Sequence, residues 1–275
     1  MKRLLIVLFC FAGMTYAQLP VMERLGDWMA DSITLRGSLQ GMALYENRAV
    51  LLRHNGQCLI LDMNGQQLLA HYQLSGNHSH CNNASFSNTI MEGDKYPLLY
   101  VSECFGDKTC FVTRISDTGS TIIQRIYYVS DCFPVAQDWC LDRENGFLYA
   151  FGGRKYGTMY LKKFRIPELG DSVVKLYDKD VLKTIAFDCV KVAQGSKIEG
   201  GFAYLPDGED EGGYWLHVLD LETGKEVRRI DLNTIGLEPE GIDIKDGWIY
   251  VGFNVKGSPL LNNKNWVRVG FNYTF

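Results

Sequence analysis

The fold follows from four apolar segments that succeed one another near the N-terminus: QGMALY at residues 40–45, AVLL at 49–52, CLILD at 58–62 and QLLAHY at 67–72. Short polar turns separate them. The turn at 63–65 ends in glycine, which tolerates the positive φ of a tight hairpin. Each segment has the length of a strand, and the last is the most polar. The pattern predicts a four-stranded antiparallel sheet with a polar outer strand.

The same plan recurs along the chain, with copies that begin at Gln40, Asn83, Gln137, Gln194 and Glu240. The steps between these residues are 43, 54, 57 and 46, close to the ~40–50 residues of one propeller blade. Glycine turns equivalent to the first occur at 117–119 and 222–224. We therefore predict an all-β fold, a five-bladed β-propeller. Six blades is the alternative if the long insertions contain further strands.

The fifth copy stops one strand short of the others. Residues 32–36, which precede the first copy, are predicted to supply the outer strand of the last blade, because closure by an N-terminal strand removes an exposed sheet edge. We assign residues 18–275 to this single domain. The composition agrees: 46% hydrophobic and 22% charged residues are typical of a globular chain. The 15 Tyr, 14 Phe and 28 Gly favour strands and turns over helices.

The first seventeen residues are predicted to be a cleavable signal peptide. Lys2 and Arg3 precede an apolar run at 4–14, and small residues allow a cut after Ala17. We therefore expect a secreted or periplasmic protein. Loss of Lys2 and Arg3 leaves 26 basic against 32 acidic residues, a net charge of −6, which argues against nucleic-acid binding. No later stretch is apolar enough to span a membrane, and we expect a monomer without a cofactor.

This repeat of strands and Asp/Glu turns ending in glycine, such as 117–119 and 222–224, resembles YncE-like and related secreted β-propellers, including exported propeller proteins of Bacteroidetes. The resemblance covers residues 32–275 and implies the fold. The Asp boxes of sialidases and the Trp-Asp dipeptide of another propeller family are absent from the sequence. Because one fold hosts many activities, function has to be argued from the site.

Polar residues open the innermost strand of every predicted blade, and these openings converge on the propeller axis. The predicted ligand-binding residues are Gln40, His80, Asn82, Asn83, Gln137, Asp138, Gln194 and Glu240. Amides and carboxylates around one axis suit a hydroxyl-rich ligand such as a glycan, and the mouth could also recognise another protein. The alternative is that these groups bind trapped water and neighbouring backbone in a wet channel. The preferred hypothesis is a binding or interaction module.

An enzyme is the alternative function. Five-bladed glycosidases of the arabinanase and invertase type use acids from different blades, and Asp138, Glu238 and Glu240 are the acids at channel-facing openings. The sequence motifs of that family around its acids are not recognisable here. No Gly-x-Ser-x-Gly element indicates a serine nucleophile either. The prediction therefore favours a protein without catalysis and keeps glycoside hydrolysis as its alternative.

Seven cysteines remain after the signal peptide, an odd number that leaves at least one thiol without an intramolecular partner. Cys104 and Cys110 flank a predicted hairpin turn, and a disulfide between them is predicted. His78 and His80 could share a metal if they lie in a strand, but the surrounding sequence is typical of a loop. The acidic run at 207–213 lacks the spacing of a calcium loop. We therefore predict no metal site.

Overall fold

The computed structural model describes residues 21–24, 28–34, 38–64, 67–76, 79–130, 138–209, 212–254, 260–263 and 266–270. Side chains are described in the parts of these ranges that lie between residues 38 and 254. The predicted signal peptide, His78 and Gln137 lie outside the described residues. Among those described, no helix is long and apolar enough to cross a membrane.

Two N-terminal strands precede the first complete sheet, β1 (Val21–Arg24) and β2 (Trp28–Thr34). Sheet 1 is an antiparallel meander of four strands: β3 (Leu39–Tyr45), β4 (Arg48–Arg53), β5 (Gln57–Asp62) and β6 (Gln67–Gln73). The three inner strands are buried on both faces, whereas β6 buries only Ala70 fully. This burial follows the sequence pattern, because an outer strand packs less completely against the neighbouring sheets than an inner one.

Sheet 2 repeats the meander with four antiparallel strands: β7 (Asn83–Phe86), β8 (Leu99–Ser102), β9 (Cys110–Ile115) and β10 (Ser120–Val129). Sheet 3 begins in the same way with β11 (Asp138–Asp142), β12 (Phe147–Gly153) and β13 (Met159–Arg165).

The outer strand of sheet 3 differs from the sequence interpretation. By its apolar sequence the segment 173–176 is the candidate for the fourth strand of the third copy, but β14 (Val173–Tyr177) pairs in parallel with β10 and becomes a fifth strand of sheet 2. After a 3-10 turn (Asp178–Asp180), β15 (Lys183–Phe187) pairs with β13 instead. The physical reason is the length of β10, whose outer edge at Arg125–Val129 accepts the additional strand.

Sheet 4 contains the strands β16 (Lys197–Glu199), β17 (Phe202–Glu209), β18 (Gly213–Asp220) and β19 (Glu226–Asp231), followed by a 3-10 turn (Asn233–Ile235). Two strands of sheet 5 come next, β20 (Glu238–Lys245) and β21 (Trp248–Asn254). The chain continues through β22 (Leu260–Asn263) and returns to sheet 5 with β23 (Trp266–Gly270).

Sheet 5 has an N-terminal outer strand, but that strand is not at residues 32–36. The segment β1 pairs antiparallel with β23, so that Val21 lies opposite Gly270 and Arg24 opposite Val267. Residues 32–34 belong to β2, which pairs with β22 in a separate two-stranded sheet. The outer strand therefore comes from further towards the N-terminus than the sequence predicted.

The hydrophobic core lies between neighbouring sheets. Among the described side chains, five buried clusters join sheets 1 and 2, 2 and 3, 3 and 4, 4 and 5, and 5 and 1. Between sheets 1 and 2, for example, the rings of Tyr45 and Phe86 have centroids 5.7 Å apart. Fully buried Trp139 packs with Phe164 in the next cluster. Face-to-face packing of successive sheets is the architecture of a propeller.

The first strands of the sheets contact one another in a circuit, β3 with β7, β7 with β11, β11 with β16, β16 with β20 and β20 with β3. Glycine allows the closest of these approaches. A Cβ on Gly241 of β20 would lie 2.5 Å from the backbone nitrogen of Met42, and one on Gly41 would lie 2.9 Å from the carbonyl carbon of Asn83. The protein is thus all-β with a propeller-like arrangement, and the starts of the innermost strands lie around a common axis.

Candidate functional site

A polar pocket of about 370 Å³ lies where the innermost strands begin. Of the predicted ligand-binding residues, those that line it are Gln40, His80, Asn82, Gln194 and Glu240. Glu238, at the start of the same strand as Glu240, also lines it. The volume falls within the roughly 300–1,000 Å³ of small-molecule sites. Residues far apart in sequence therefore form one concave site.

Two amide side chains hold the carboxylates of β20 at the base of this pocket. The Nε2 of Gln40 donates to Oε1 of Glu240 at 3.0 Å, and the Nε2 of Gln194 donates to Oε1 of Glu238 at 2.9 Å. Gln194 also donates to the Gly208 carbonyl at 2.9 Å. The donors of both amides are thus held in fixed contacts, those of Gln40 with Glu240 and Ser38 and those of Gln194 with Glu238 and Gly208. The base of the pocket is consequently rich in acceptor oxygens.

One of those acceptors is the Oε1 atom of Gln40. This atom is buried and has no hydrogen-bond partner among the described residues. Buried polar atoms are almost always paired in folded proteins, with protein, water or ligand. Because Gln40 lines the pocket, an adjustment of its side chain would bring this acceptor within reach of a ligand hydroxyl or amine.

Asp138 lies behind the pocket and does not line it. It is fully buried, and its Oδ1 accepts a hydrogen bond from Nδ2 of Asn82 at 2.9 Å. Burial raises the pKa of Asp138 from 3.8 to about 7, although the hydrogen bonds from Asn82 and from the backbone of Gly195 oppose the rise. Asn82 thus separates the pocket from a carboxyl group that titrates near neutral pH.

Asn83 was predicted to bind ligand, but it lies beneath the pocket and outside its lining. Its Nδ2 donates to the carbonyls of Trp139 at 3.0 Å and Ser196 at 2.8 Å, and to Oγ of Ser196 at 3.2 Å. The side chain joins β7 to β11 and to the segment that precedes β16. The reason is the alternation of an extended chain: Asn82 faces the pocket, so its neighbour points to the other side.

The rim carries groups that sequence reasoning missed. Phe105 is 57% exposed, and its ring centroid lies 4.6 Å from that of His80. Burial, with a smaller contribution from His54, lowers the pKa of His80 to about 4, so its imidazole is neutral at physiological pH. The lining also includes three cations, which lie in loops between strands: Lys108, Lys155 and Lys191. The one sequence signal for these lysines is that their loops lie at the same end of the sheets as Gln40.

Three of the five described non-glycine residues with positive φ lie at or beside this pocket. His80, Lys108 and Tyr156 have φ values of 64°, 56° and 57°, in the left-handed region that non-glycine residues seldom adopt. Two of them line the pocket, and Tyr156 follows the lining residue Lys155. Such backbone strain costs of the order of 1–3 kcal/mol per residue and is concentrated at functional sites.

The predicted disulfide between Cys104 and Cys110 is absent, and both are free thiols. The register explains why: Cys110 of β9 lies opposite Ser102 of β8, so Cys104 is two residues past the pairing position. Cys104 lines the pocket instead, while Cys110 packs in the cluster between sheets 2 and 3.

The fold and this site define a β-propeller with a polar pocket at one end of its axis. A solved structure with the same fold is Myxococcus xanthus glutaminyl cyclase, at 13% sequence identity and a TM-score of 0.57. The similarity covers 91% of this chain and 96% of that one. The WD40 β-propeller domain of Doa1 is also similar, at 13% identity and a TM-score of 0.45, over 83% of this chain and 62% of that one. No protein-family model and no curated protein sequence matches the chain.

Proposed function

We propose that this protein is an exported binding module that recognises a hydroxyl-rich ligand, a glycan, in the axial pocket. One observation carries the proposal: each of sheets 1 to 5 contributes residues to the same cavity. Gln40 comes from sheet 1, His80 and Asn82 from the segment before β7, Lys155 from sheet 3, Gln194 from the segment before β16, and Glu240 from sheet 5.

The chemistry of the lining supports a glycan. Sugar hydroxyls donate hydrogen bonds, and the lining of the pocket includes the Gln40 side chain and the carboxylates of Glu238 and Glu240. The exposed face of Phe105 at the rim gives the C–H face of a sugar ring an apolar surface. A pocket built for an apolar ligand would not place carboxylates at its base, because burying them without donors is costly.

The finer assignments belong to the same proposal. Five blades are supported by five sheets of four or five strands and by the circuit of their first strands. Export is supported by the charge, apolar run and small residues at 1–17. Membership of the YncE-like exported propellers is supported by the repeat architecture, and a monomer by the pairing of β1 with β23 at the sheet edge.

The experiment is a glycan array probed with the purified mature protein, with neutral and acidic glycans and with and without calcium, followed by calorimetric titration of the best binder. Phe105→Ala and His80→Asn should each weaken binding at least ~5-fold, because stacking and polar contacts are each worth about 1 kcal/mol or more. Asn tolerates the positive φ at residue 80. Ile90→Ala is the matched control for Phe105, since Ile90 is a comparably exposed apolar residue outside the pocket lining.

The melting temperatures of all three variants should stay close to that of the wild type. Equal losses of affinity in the Ile90 and Phe105 variants, or binding of no glycan on the array, would reject the proposal. If the wild type binds a protein and the Phe105 variant does not, the ligand of this pocket is a protein and not a glycan.

A second candidate is glycoside hydrolysis at this pocket. The observation in its favour is that Glu238 and Glu240 lie two residues apart on β20 and line one cavity. Asp138, the third predicted acid, does not reach the cavity, which leaves these two as acid and base or nucleophile. Glu240→Gln should abolish cleavage of a bound glycan while binding persists. The similar structure is an enzyme by name, so glutaminyl cyclase activity belongs in the same assay panel.

A further inference from the structure

A second group of reactive side chains lies between sheets 3 and 4, outside the pocket lining. Cys189 follows the end of β15, His217 lies on β18, and Glu226 begins β19. One potential ligand atom from each residue lies within 4.8 Å of the other two. Nothing in the sequence indicates this group: the pairing of β18 with β19 brings His217 and Glu226 together, and Cys189 reaches them only through the packing of sheet 3 against sheet 4.

The imidazole of His217 is fixed in orientation by a carboxylate on each side. Its Nδ1 lies 2.7 Å from Oε1 of Glu226, and its Nε2 lies 3.1 Å from Oδ2 of Asp207. His217 is 1% exposed and Asp207 3% exposed. Oδ1 of Asp207 accepts the backbone N–H groups of Lys191 and Val192 at 3.0 and 2.6 Å. The carboxylate that faces Nε2 is therefore held firmly in place.

This arrangement matches the second shell of metal-bound histidines. A ligating imidazole typically donates its other N–H to a carboxylate, which selects the tautomer and increases the basicity of the ligating nitrogen. Here Asp207 would accept the Nε2–H proton, and Nδ1, which lies 2.7 Å from Oε1 of Glu226, would be the nitrogen that binds the metal.

We propose that Cys189, His217 and Glu226 bind a divalent transition-metal ion of the zinc class. One sulfur, one nitrogen and one oxygen ligand suit zinc, whereas calcium and magnesium prefer all-oxygen sites. Zinc ligands lie roughly 2.0–2.3 Å from the metal, so the group closes around an ion with small side-chain adjustments. A water molecule can complete the tetrahedron, because the side chain of Glu226 is 30% exposed and opens the site to solvent.

Binding changes the protonation of one ligand. The thiol of Cys189 releases its proton to solvent on forming the metal–sulfur bond, while Nδ1 of His217 binds the metal with its lone pair and Nε2 keeps its proton towards Asp207. The ion then connects the residue that follows sheet 3 with two strands of sheet 4. We expect it to stabilise the folded state by linkage, independently of glycan binding at the axial pocket.

The test uses the purified protein without a polyhistidine tag, stripped of metal and titrated with zinc, cobalt or calcium. Zinc should bind with a stoichiometry of one and raise the melting temperature. Cobalt should produce the thiolate-to-cobalt charge-transfer band and a tetrahedral d–d spectrum. Cys189→Ser should remove the charge-transfer band, and Glu226→Gln should weaken binding. Cys104→Ser is the matched control, since Cys104 is the other partly exposed thiol among the described cysteines.

Two outcomes would overturn the site. Zinc binding that survives unchanged in both the Cys189 and Glu226 variants would place the metal elsewhere. If the metal-stripped wild type binds no zinc and its melting temperature does not change when zinc is added, there is no metal site. His217 is then simply hydrogen-bonded between two carboxylates. Because the Cys189 and Glu226 side chains are partly exposed, both variants are expected to fold, and circular dichroism of the metal-free proteins verifies this.

Discussion

Replacing Asp138 by Asn tests the electrostatics beneath the pocket. Burial raises the pKa of this carboxyl from 3.8 to about 7. Between these two pH values the folded state therefore holds a proton that the unfolded state has released. Asn reproduces the neutral form: its carbonyl can still accept the hydrogen bonds from Asn82 and from the backbone of Gly195. The variant therefore removes the titration while keeping the shape and the acceptor.

The magnitude follows from linkage. Between pH 3.8 and about 7 the folded state binds more protons at Asp138 than the unfolded state. The free energy of unfolding therefore falls as pH rises, by about 1.4 kcal/mol per pH unit. Over the whole interval this group should cost the wild type roughly 4 kcal/mol, a loss that is complete above the folded pKa. Asp138→Asn should lack this loss and exceed the wild type in stability by a few kcal/mol near pH 8.

Urea unfolding, followed by tryptophan fluorescence from about pH 5 to about pH 8, measures both profiles. The difference in unfolding free energy between variant and wild type should grow with pH and level off above pH 7. Asp246→Asn is the control, because the Asp246 side chain is 75% exposed and Asn tolerates its positive φ. A difference between the Asp138 variant and wild type that stays constant with pH would refute the argument.

Two further substitutions test the contacts between innermost strands. Gly241→Ala should destabilise the protein by about 1–3 kcal/mol in urea unfolding, because its Cβ would lie 2.5 Å from the backbone of β3. Gly119→Ala, where the Cβ meets no atom within 4 Å, should be nearly neutral, and equal effects would contradict this prediction. Lys197→Met should cost about 3–5 kcal/mol, because it leaves the buried Asp243 carboxylate, 2.7 Å from the amine, without its cation. Lys245→Met breaks an exposed pair and should cost less than about 1 kcal/mol; a comparable loss in both would show that burial does not matter here.

The strands were largely predictable because each sheet repeats one local plan. The first strands at Gln40, Asn83 and Asp138 lie where the repeat placed them. The outermost strands were harder to predict. The strand β14 joined sheet 2 instead of sheet 3, and the N-terminal strand of sheet 5 is β1 instead of residues 32–36. Outer strands are half exposed, and their hydrophobic pattern is weak. Each pairs with whichever sheet edge is still free once the inner strands have packed, and the local sequence does not encode which edge that is.

The pocket was predictable to the extent that it depends on the first residues of the innermost strands. Gln40, Asn82 and Glu240 line it as expected, because their strands open around the axis. Phe105 and Lys155 were missed because they lie in loops, and the route of a loop over the surface depends on the lengths of the strands that it connects.

The polar residues near the axis divide into two layers, and the division follows from the alternation of extended chain. Glu238 and Glu240 both line the pocket from the start of β20, whereas Asn82 and Asn83 are consecutive and point to opposite sides. The lower layer, with Asn83 bonded to Ser196 and Trp139, ties β7 and β11 together beneath the pocket. The polar residues at the axis thus have two roles. The lower layer fixes the innermost strands, and these fixed strands hold the side chains of the upper layer open towards a ligand. Substitutions in the lower layer should therefore change stability before they change binding, and those in the upper layer the reverse.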